Sequence, residues 1–114
     1  MGLDQAEDFG QVLPPIMSLP IVFRRVARAE MDEAIAWFEY QRDGLGIEFT
    51  TEIDRHLQRI ADNPKQLPKT RNEIRLAVLH RFPYTIHFLD ETNRIVVLAV
   101  FHVKRNPLVL EGRS

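Results

Sequence analysis

Residues 73–102 read EIRLAVLHRFPYTIHFLDETNRIVVLAVFH, and this stretch decides the fold. Phe82-Pro83 and residues 90–93 (DETN) are typical turn sequences that divide it into three segments. Apolar and polar side chains alternate with period two in the first two segments, which predicts strands over residues 73–81 and 84–89. The third segment, residues 94–102, is apolar on both sides, so we expect a central strand that is covered on both faces.

Two amphipathic helices are predicted upstream of these strands. The first begins near Ala29 and stops near Gly44, since glycine favours the left-handed conformation of a helix end. The second runs from Leu45 to Asn63, because Pro64 disfavours a helical residue before it. Their apolar positions recur at helical spacing: Met31, Ile35 and Phe38 in the first helix, and Phe49, Ile53, Leu57 and Ile60 in the second. The short connection predicts an antiparallel helical hairpin.

A further short strand is predicted over residues 21–26 (IVFRRV). The fold class is therefore α+β, with a helical hairpin packed on a small antiparallel sheet in the order β-α-α-β-β-β. Residues 1–20 contain three prolines and no sustained periodicity, which predicts an extended or disordered arm. We expect one domain over residues 21–107 and a separate tail over 108–114, with residues 1–16 dispensable for folding.

Composition narrows the class of protein. The chain has 114 residues, 13.3 kDa and no cysteine, which excludes disulfides and a thiolate metal site. Its longest apolar run has seven residues, too short to span a bilayer, and we predict a cytoplasmic protein without membrane contact. The four histidines are scattered, without the spacing of three or four that two histidine ligands on a helix usually show. We therefore expect no metal and no cofactor.

Positive charge is concentrated in the second half of the chain. Residues 64–106 carry eight basic and three acidic residues, a net charge of +5, although the whole chain has −1. The candidate residues are Arg75, Arg81, His102, Lys104 and Arg105. They could meet the carboxylates of a partner protein, or serve a metal-independent ribonuclease in which arginine stabilises a phosphate and histidine moves a proton. Trp37 lies off the apolar face of the first helix and either widens the core or anchors a partner.

Several motifs together resemble one known family. They are Gly44-Leu45-Gly46-x-x-Phe49-x-x-x-Ile53-Asp54, Ile74-Arg75, Arg81-Phe82-Pro83-Tyr84-x-Ile86 and Val97-x-x-Val100-x-His102-x-x-Arg105-x-Pro107. From Ile21 to Pro107, the chain resembles the ParE branch of the RelE/ParE toxin superfamily, the plasmid stabilisation proteins of type II toxin–antitoxin systems. RelE-type nucleases tend to place a tyrosine near the C-terminus, but this chain has no tyrosine after Tyr84. This difference is evidence against a RelE-type nuclease.

The resemblance implies a toxin that inhibits DNA gyrase and is neutralised by a ParD-like antitoxin with a ribbon-helix-helix domain. Such a toxin acts by binding protein, needs no cofactor and makes no direct contact with nucleic acid. The residues expected to bind antitoxin or target are Trp37, Arg75, Arg81, Lys104 and Arg105. The alternative is a RelE-like, ribosome-dependent mRNA endonuclease, for which the catalytic candidates are Arg75, Arg81 and His102.

Overall fold

The computed structural model describes residues 18–113, which form two helices and a five-stranded sheet. The elements, in chain order, are β1 (Ile21–Phe23), α1 (Arg25–Gln41), α2 (Leu45–Asp62), β2 (Lys69–Arg71), β3 (Ile74–Val78), β4 (Tyr84–Glu91) and β5 (Arg94–His102). The predicted α+β class and the β-α-α-β-β-β order are confirmed, with β2 as an additional short strand. Neither helix of the described part is long and apolar enough to cross a membrane.

The sheet is mixed, with strand order β1-β5-β4-β3-β2. Strands β3 to β5 form an antiparallel meander from the three predicted strands, and β2 adds to it antiparallel to β3. Strand β1 instead pairs with β5 in parallel, with Ile21 opposite Ile95. The expectation of a wholly antiparallel sheet is wrong at this edge, because the helical hairpin returns the chain to the far side of the meander. Every residue from Ile95 to Val100 is buried, so the prediction of a strand covered on both faces is confirmed.

The helices follow the predicted pattern, with one shifted start. Helix α1 begins at Arg25 rather than near Ala29, and β1 ends at Phe23 rather than at residue 26. Helix α2 spans Leu45–Asp62, as its apolar periodicity predicts. The connection turns at Gly44, whose φ of 89° lies in the left-handed region that glycine adopts without strain.

The core between helices and sheet is built around four aromatic rings. Phe49 of α2 lies at the centre, with ring centroids 5.0 Å from Phe38, 5.2 Å from Phe82 and 5.2 Å from Tyr84. Most of these contacts are edge-to-face or tilted, which is the favourable geometry for aromatic pairs. Residues from both helices and from the β3–β4 connection thus share one apolar cluster.

The opposite face of the sheet is covered by the end of the chain. A 3₁₀ helix over Pro107–Leu110 places Leu110 against Val96, Leu98 and Phe101, where it is fully buried. Leu110 and Arg113 therefore attach this segment to the domain, whereas the sequence predicts a separate tail over 108–114. Leu108, Val109 and Leu110 form an apolar run too short to show a periodicity, so the sequence does not indicate which of them is buried.

The N-terminal boundary also lies earlier than residue 21. Ser18 is buried and its hydroxyl donates to Asp62, Leu19 N donates to Ala61 O, and Pro20 O accepts from Ile95 N. These three residues belong to the folded body, which shortens the expected arm at its C-terminal end. The predicted extended or disordered arm over residues 1–17 lies outside the described residues.

Candidate partner-binding surface

One face of α1 carries large aromatic side chains that face solvent. Trp37 is 57% exposed and Tyr40 is 86% exposed, and their spacing of three residues places them on the same face. The side chains of α1 that pack into the core are instead those of Ala34, Ile35 and Phe38. Of the two interpretations of Trp37, the structure therefore favours an exposed side chain that is free to contact a partner.

The same face of α1 meets the end of β5 through Glu30. The Glu30 carboxylate accepts hydrogen bonds from Val100 N (3.1 Å) and from Arg113 Nη2 (2.9 Å), and Arg105 Nη1 lies 3.8 Å from it. Glu30 and Trp37 are seven residues, or about two turns, apart, so they share one face about 11 Å from each other. Arg105, with 46% of its side chain exposed, therefore lies about two helical turns from Trp37 along this side of α1.

His102 is the last residue of β5, and Lys104 lies in the turn that follows it. His102 is exposed and stacks edge-to-face on Tyr84, at 5.6 Å between ring centroids, while its Nδ1 accepts from Lys104 N at 3.1 Å. We call Trp37, Tyr40, His102, Lys104 and Arg105 the α1–β5 surface. It combines aromatic area with positive charge, which suits a protein partner that carries apolar and acidic side chains.

Arg81 is held at the start of α2. Its Nη2 donates to Glu48 Oε1 at 2.8 Å, and its guanidinium lies 5.2 Å from the centroid of the Phe82 ring. The hydrogen bonds from Arg81 and then from Arg42 lower the pKa of Glu48, so this carboxylate remains ionised. Arg81 is still half exposed and can contact a second molecule with its free edge.

Arg75 has a different environment from the other basic candidates. Only 13% of its side chain is exposed, its Nη1 donates to Leu67 O, and its Nε lies 3.8 Å from Asp90 Oδ2. These contacts tie β3 to the loop before β2 and to the end of β4. They favour a structural role for Arg75 within the domain.

The structure brings only part of the predicted basic set together. In the sheet register Arg75 lies opposite Phe88, whereas His102 lies opposite Tyr84 at the other end of β4. Four residues of strand separate these positions, about 13 Å at the usual rise. Arg75 and His102 therefore do not face one reacting group, while His102, Lys104 and Arg105 lie together at the end of β5 and in the turn that follows it.

Sequence reasoning missed a second cluster on the other side of α2. Glu52, His56 and His80 each place one potential ligand atom within 4.8 Å of the other two. Glu52 and His56 are four residues apart and lie on one helix face. The prediction considered only the spacing between histidines, so it did not include this pair. His80 comes from the β3–β4 connection, so only the fold brings it to this pair.

Glu52 is buried and ionised at this cluster. Burial alone would raise the pKa of its carboxyl, but hydrogen bonds from the backbone N–H groups of Arg81 (3.1 Å) and His80 (2.7 Å) outweigh burial and lower the pKa. Both bonds reach Oε2, so Glu52 fixes the turn that carries His80 and Arg81.

His87 is the other buried histidine, and it belongs to the outer face of the sheet. Burial lowers its pKa to about 4, so the imidazole is neutral at physiological pH. Its Nε2 lies 2.8 Å from Thr85 Oγ1, and its ring stacks on Phe101. These contacts place His87 in the packing of the outer face of the sheet.

Comparison with known proteins identifies the family of this fold and surface. The model of the family described as "ParE toxin of type II toxin-antitoxin system, parDE" matches residues 21–107, which is most of the chain. The chain belongs to the ParE toxin family. The match covers β1 through the turn after β5, and hence every residue of the α1–β5 surface.

The fold is similar to a solved structure described as the chromosomal ParDE toxin–antitoxin system from P. aeruginosa. The TM-score is 0.62 with 16% sequence identity, over 75% of this chain and 96% of that chain. At this identity the likeness concerns the fold alone. A comparison with curated protein sequences found no match.

Proposed function

We propose that this protein is a toxin that inhibits DNA gyrase in the cytoplasm and is neutralised by a ParD-like antitoxin with a ribbon-helix-helix domain. The observation that carries the proposal is the match to the ParE family over residues 21–107. ParE-type toxins act by binding gyrase, which agrees with an exposed surface of aromatic and basic side chains. The toxin itself makes or breaks no covalent bond in this mechanism.

The positions of the basic residues favour gyrase binding over mRNA cleavage. A metal-independent ribonuclease needs a proton-transfer group and a phosphate-binding cation around one phosphate. Arg75 is separated from His102 along the sheet and is committed to Leu67 and Asp90. The cleavage mechanism would therefore depend on Arg81 and His102 without Arg75.

The experiment that tests the proposal measures both activities with the purified full-length chain. We expect loss of DNA supercoiling by gyrase, or accumulation of gyrase–DNA cleavage complexes, while mRNA bound to ribosomes stays intact. As a control, His102→Gln keeps a polar side chain at this position of the α1–β5 surface but cannot transfer a proton, so gyrase inhibition should stay in place. Cuts in ribosome-bound mRNA that His102→Gln abolishes, with gyrase unaffected, would reverse the assignment in favour of the RelE-like alternative.

The antitoxin is expected to cover the α1–β5 surface with an amphipathic helix. Trp37 supplies an aromatic anchor, and Arg105 and Lys104 supply charges that select acidic side chains. An acidic segment that folds on binding can cover a large area in this way, although its ordering lowers the net affinity. The basic edge strand β2, with Lys69 and Arg71, offers a second contact for an extended stretch of the same partner.

Trp37→Ala is expected to weaken antitoxin binding by at least about tenfold, as for an aromatic anchor at the centre of an interface. The measurement is the dissociation constant for the antitoxin encoded next to this gene, by titration calorimetry. Val78→Ala is the matched control, because Val78 is an apolar side chain with 52% exposure on β3, away from α1. Equal losses in the two variants would place the antitoxin elsewhere.

A further inference from the structure

A buried histidine of α2 has a nitrogen without a partner. His56 is only 6% exposed, and its Nδ1 lies 3.0 Å from the backbone carbonyl of Glu52. A carbonyl oxygen can only accept, so Nδ1 carries the hydrogen and Nε2 is left as a lone pair. Nε2 is buried and makes no hydrogen bond. Burial of a polar atom without a hydrogen-bond partner costs free energy, which favours the binding of a ligand or an ion at this nitrogen.

Two further donor groups surround this histidine. The imidazoles of His56 and His80 are perpendicular, with centroids 5.2 Å apart, and Glu52 adds an ionised carboxylate. One donor atom from each of the three residues lies within 4.8 Å of the others. The backbone N–H groups of His80 and Arg81 both donate to Oε2 of Glu52. Oε1 accepts neither of these two hydrogen bonds and is the carboxylate oxygen left for an ion.

We propose that Glu52, His56 and His80 form a binding site for a divalent transition-metal ion, with Zn²⁺ as the best match. Two imidazole nitrogens and one carboxylate oxygen are a donor set that zinc uses with three protein ligands and a water in the fourth position. The hydrogen bond from His56 Nδ1 to a backbone carbonyl is the outer-shell contact that orients a ligating histidine.

The geometry requires only a small adjustment on binding. Ligand atoms around tetrahedral zinc lie about 3.3 Å apart, given bonds of about 2.0 Å. His56 and Glu52 are held by the helix, whereas His80 is exposed in the β3–β4 connection. Rotation of the His80 side chain can therefore bring its ring nitrogen closer to the other two ligand atoms. The ion would join this connection, which carries Arg81, to the middle of α2.

The test is a titration of the full-length, untagged chain with Zn²⁺, and with Co²⁺ as a spectroscopic probe. We expect one ion per chain, a Co²⁺ absorption spectrum of a four-coordinate site, and a thermal midpoint that rises with zinc. His80→Ala should weaken zinc binding by at least about tenfold, because one of three ligands is lost. Since His80 is exposed, this variant should keep the circular dichroism spectrum of the native fold.

Two further variants make the result decisive. His102→Ala removes an exposed histidine from another part of the surface and should leave the zinc affinity unchanged. Glu52→Gln keeps an oxygen for the two backbone donors but removes the charge, and should also weaken binding. Absence of saturable binding, or equal affinity in His80→Ala and the native chain, would overturn the proposal.

Discussion

Phe49→Ala is expected to lower the free energy of unfolding by about 3–5 kcal/mol, the usual cost of deleting a buried aromatic side chain. Phe49 has no exposed area and touches three other rings, which come from α1, the β3–β4 connection and β4. Alanine would leave a cavity where both helices and the sheet meet. The surrounding rings are large and mutually packed, so the site has little freedom to collapse.

The measurement is a urea unfolding curve followed by circular dichroism. Ile47→Ala is the matched control, because Ile47 lies on the same helix two residues away and is 72% exposed. A surface substitution of this kind should change stability by less than about 0.5 kcal/mol. If Phe49→Ala unfolds near the native midpoint, the ring cluster does not hold the helices on the sheet.

Leu110→Ala should destabilise the protein by about 2–5 kcal/mol, although residue 110 lies in a short terminal segment. Its side chain is buried against the outer face of β5, in a cluster with Val96, Leu98 and Phe101. Without it, this apolar face of the sheet would meet water. The expected loss is thus as large as for a position in the central core.

Leu108→Ala provides the comparison within the same 3₁₀ helix. Leu108 is 55% exposed, so its truncation removes a similar side chain without opening the core. We expect its thermal midpoint to stay near that of the native chain while that of Leu110→Ala falls. Similar midpoints for the two variants would mean that the tail does not cover the sheet in solution.

The elements with clear periodicity were predictable from sequence. Helix α2 and strands β4 and β5 follow their apolar patterns closely, because each of them buries a face large enough to fix its side-chain spacing. Strand β2 was missed, since its three residues are mostly exposed and pair through an irregular register. The parallel pairing of β1 could not be predicted, because a three-residue strand carries no information about its neighbour.

The residues of the candidate site also fall into two groups, those with a local signal in the sequence and those that only the fold brings together. Trp37 and the basic residues after β5 were found from composition and helical position, which are local properties. The separation of Arg75 from His102 depends on sheet register, and strand patterns alone do not give the register between β3 and β5. The Glu52–His56–His80 cluster depends on a loop reaching a helix, so only the folded structure reveals it.

The parallel edge of the sheet has a consequence for how the chain is made. Ile21 pairs with Ile95 and Phe23 with Val97, so β1 has no partner until a segment 74 residues further along the chain has left the ribosome. The contacts between α1 and α2 are local in sequence, so this hairpin can form early in synthesis, whereas contacts as distant as those of β1 with β5 form late. A chain released before β5 would have no partner for β1 and no scaffold for the α1–β5 surface. Interrupted translation should therefore yield fragments that lack both the completed sheet and the α1–β5 surface.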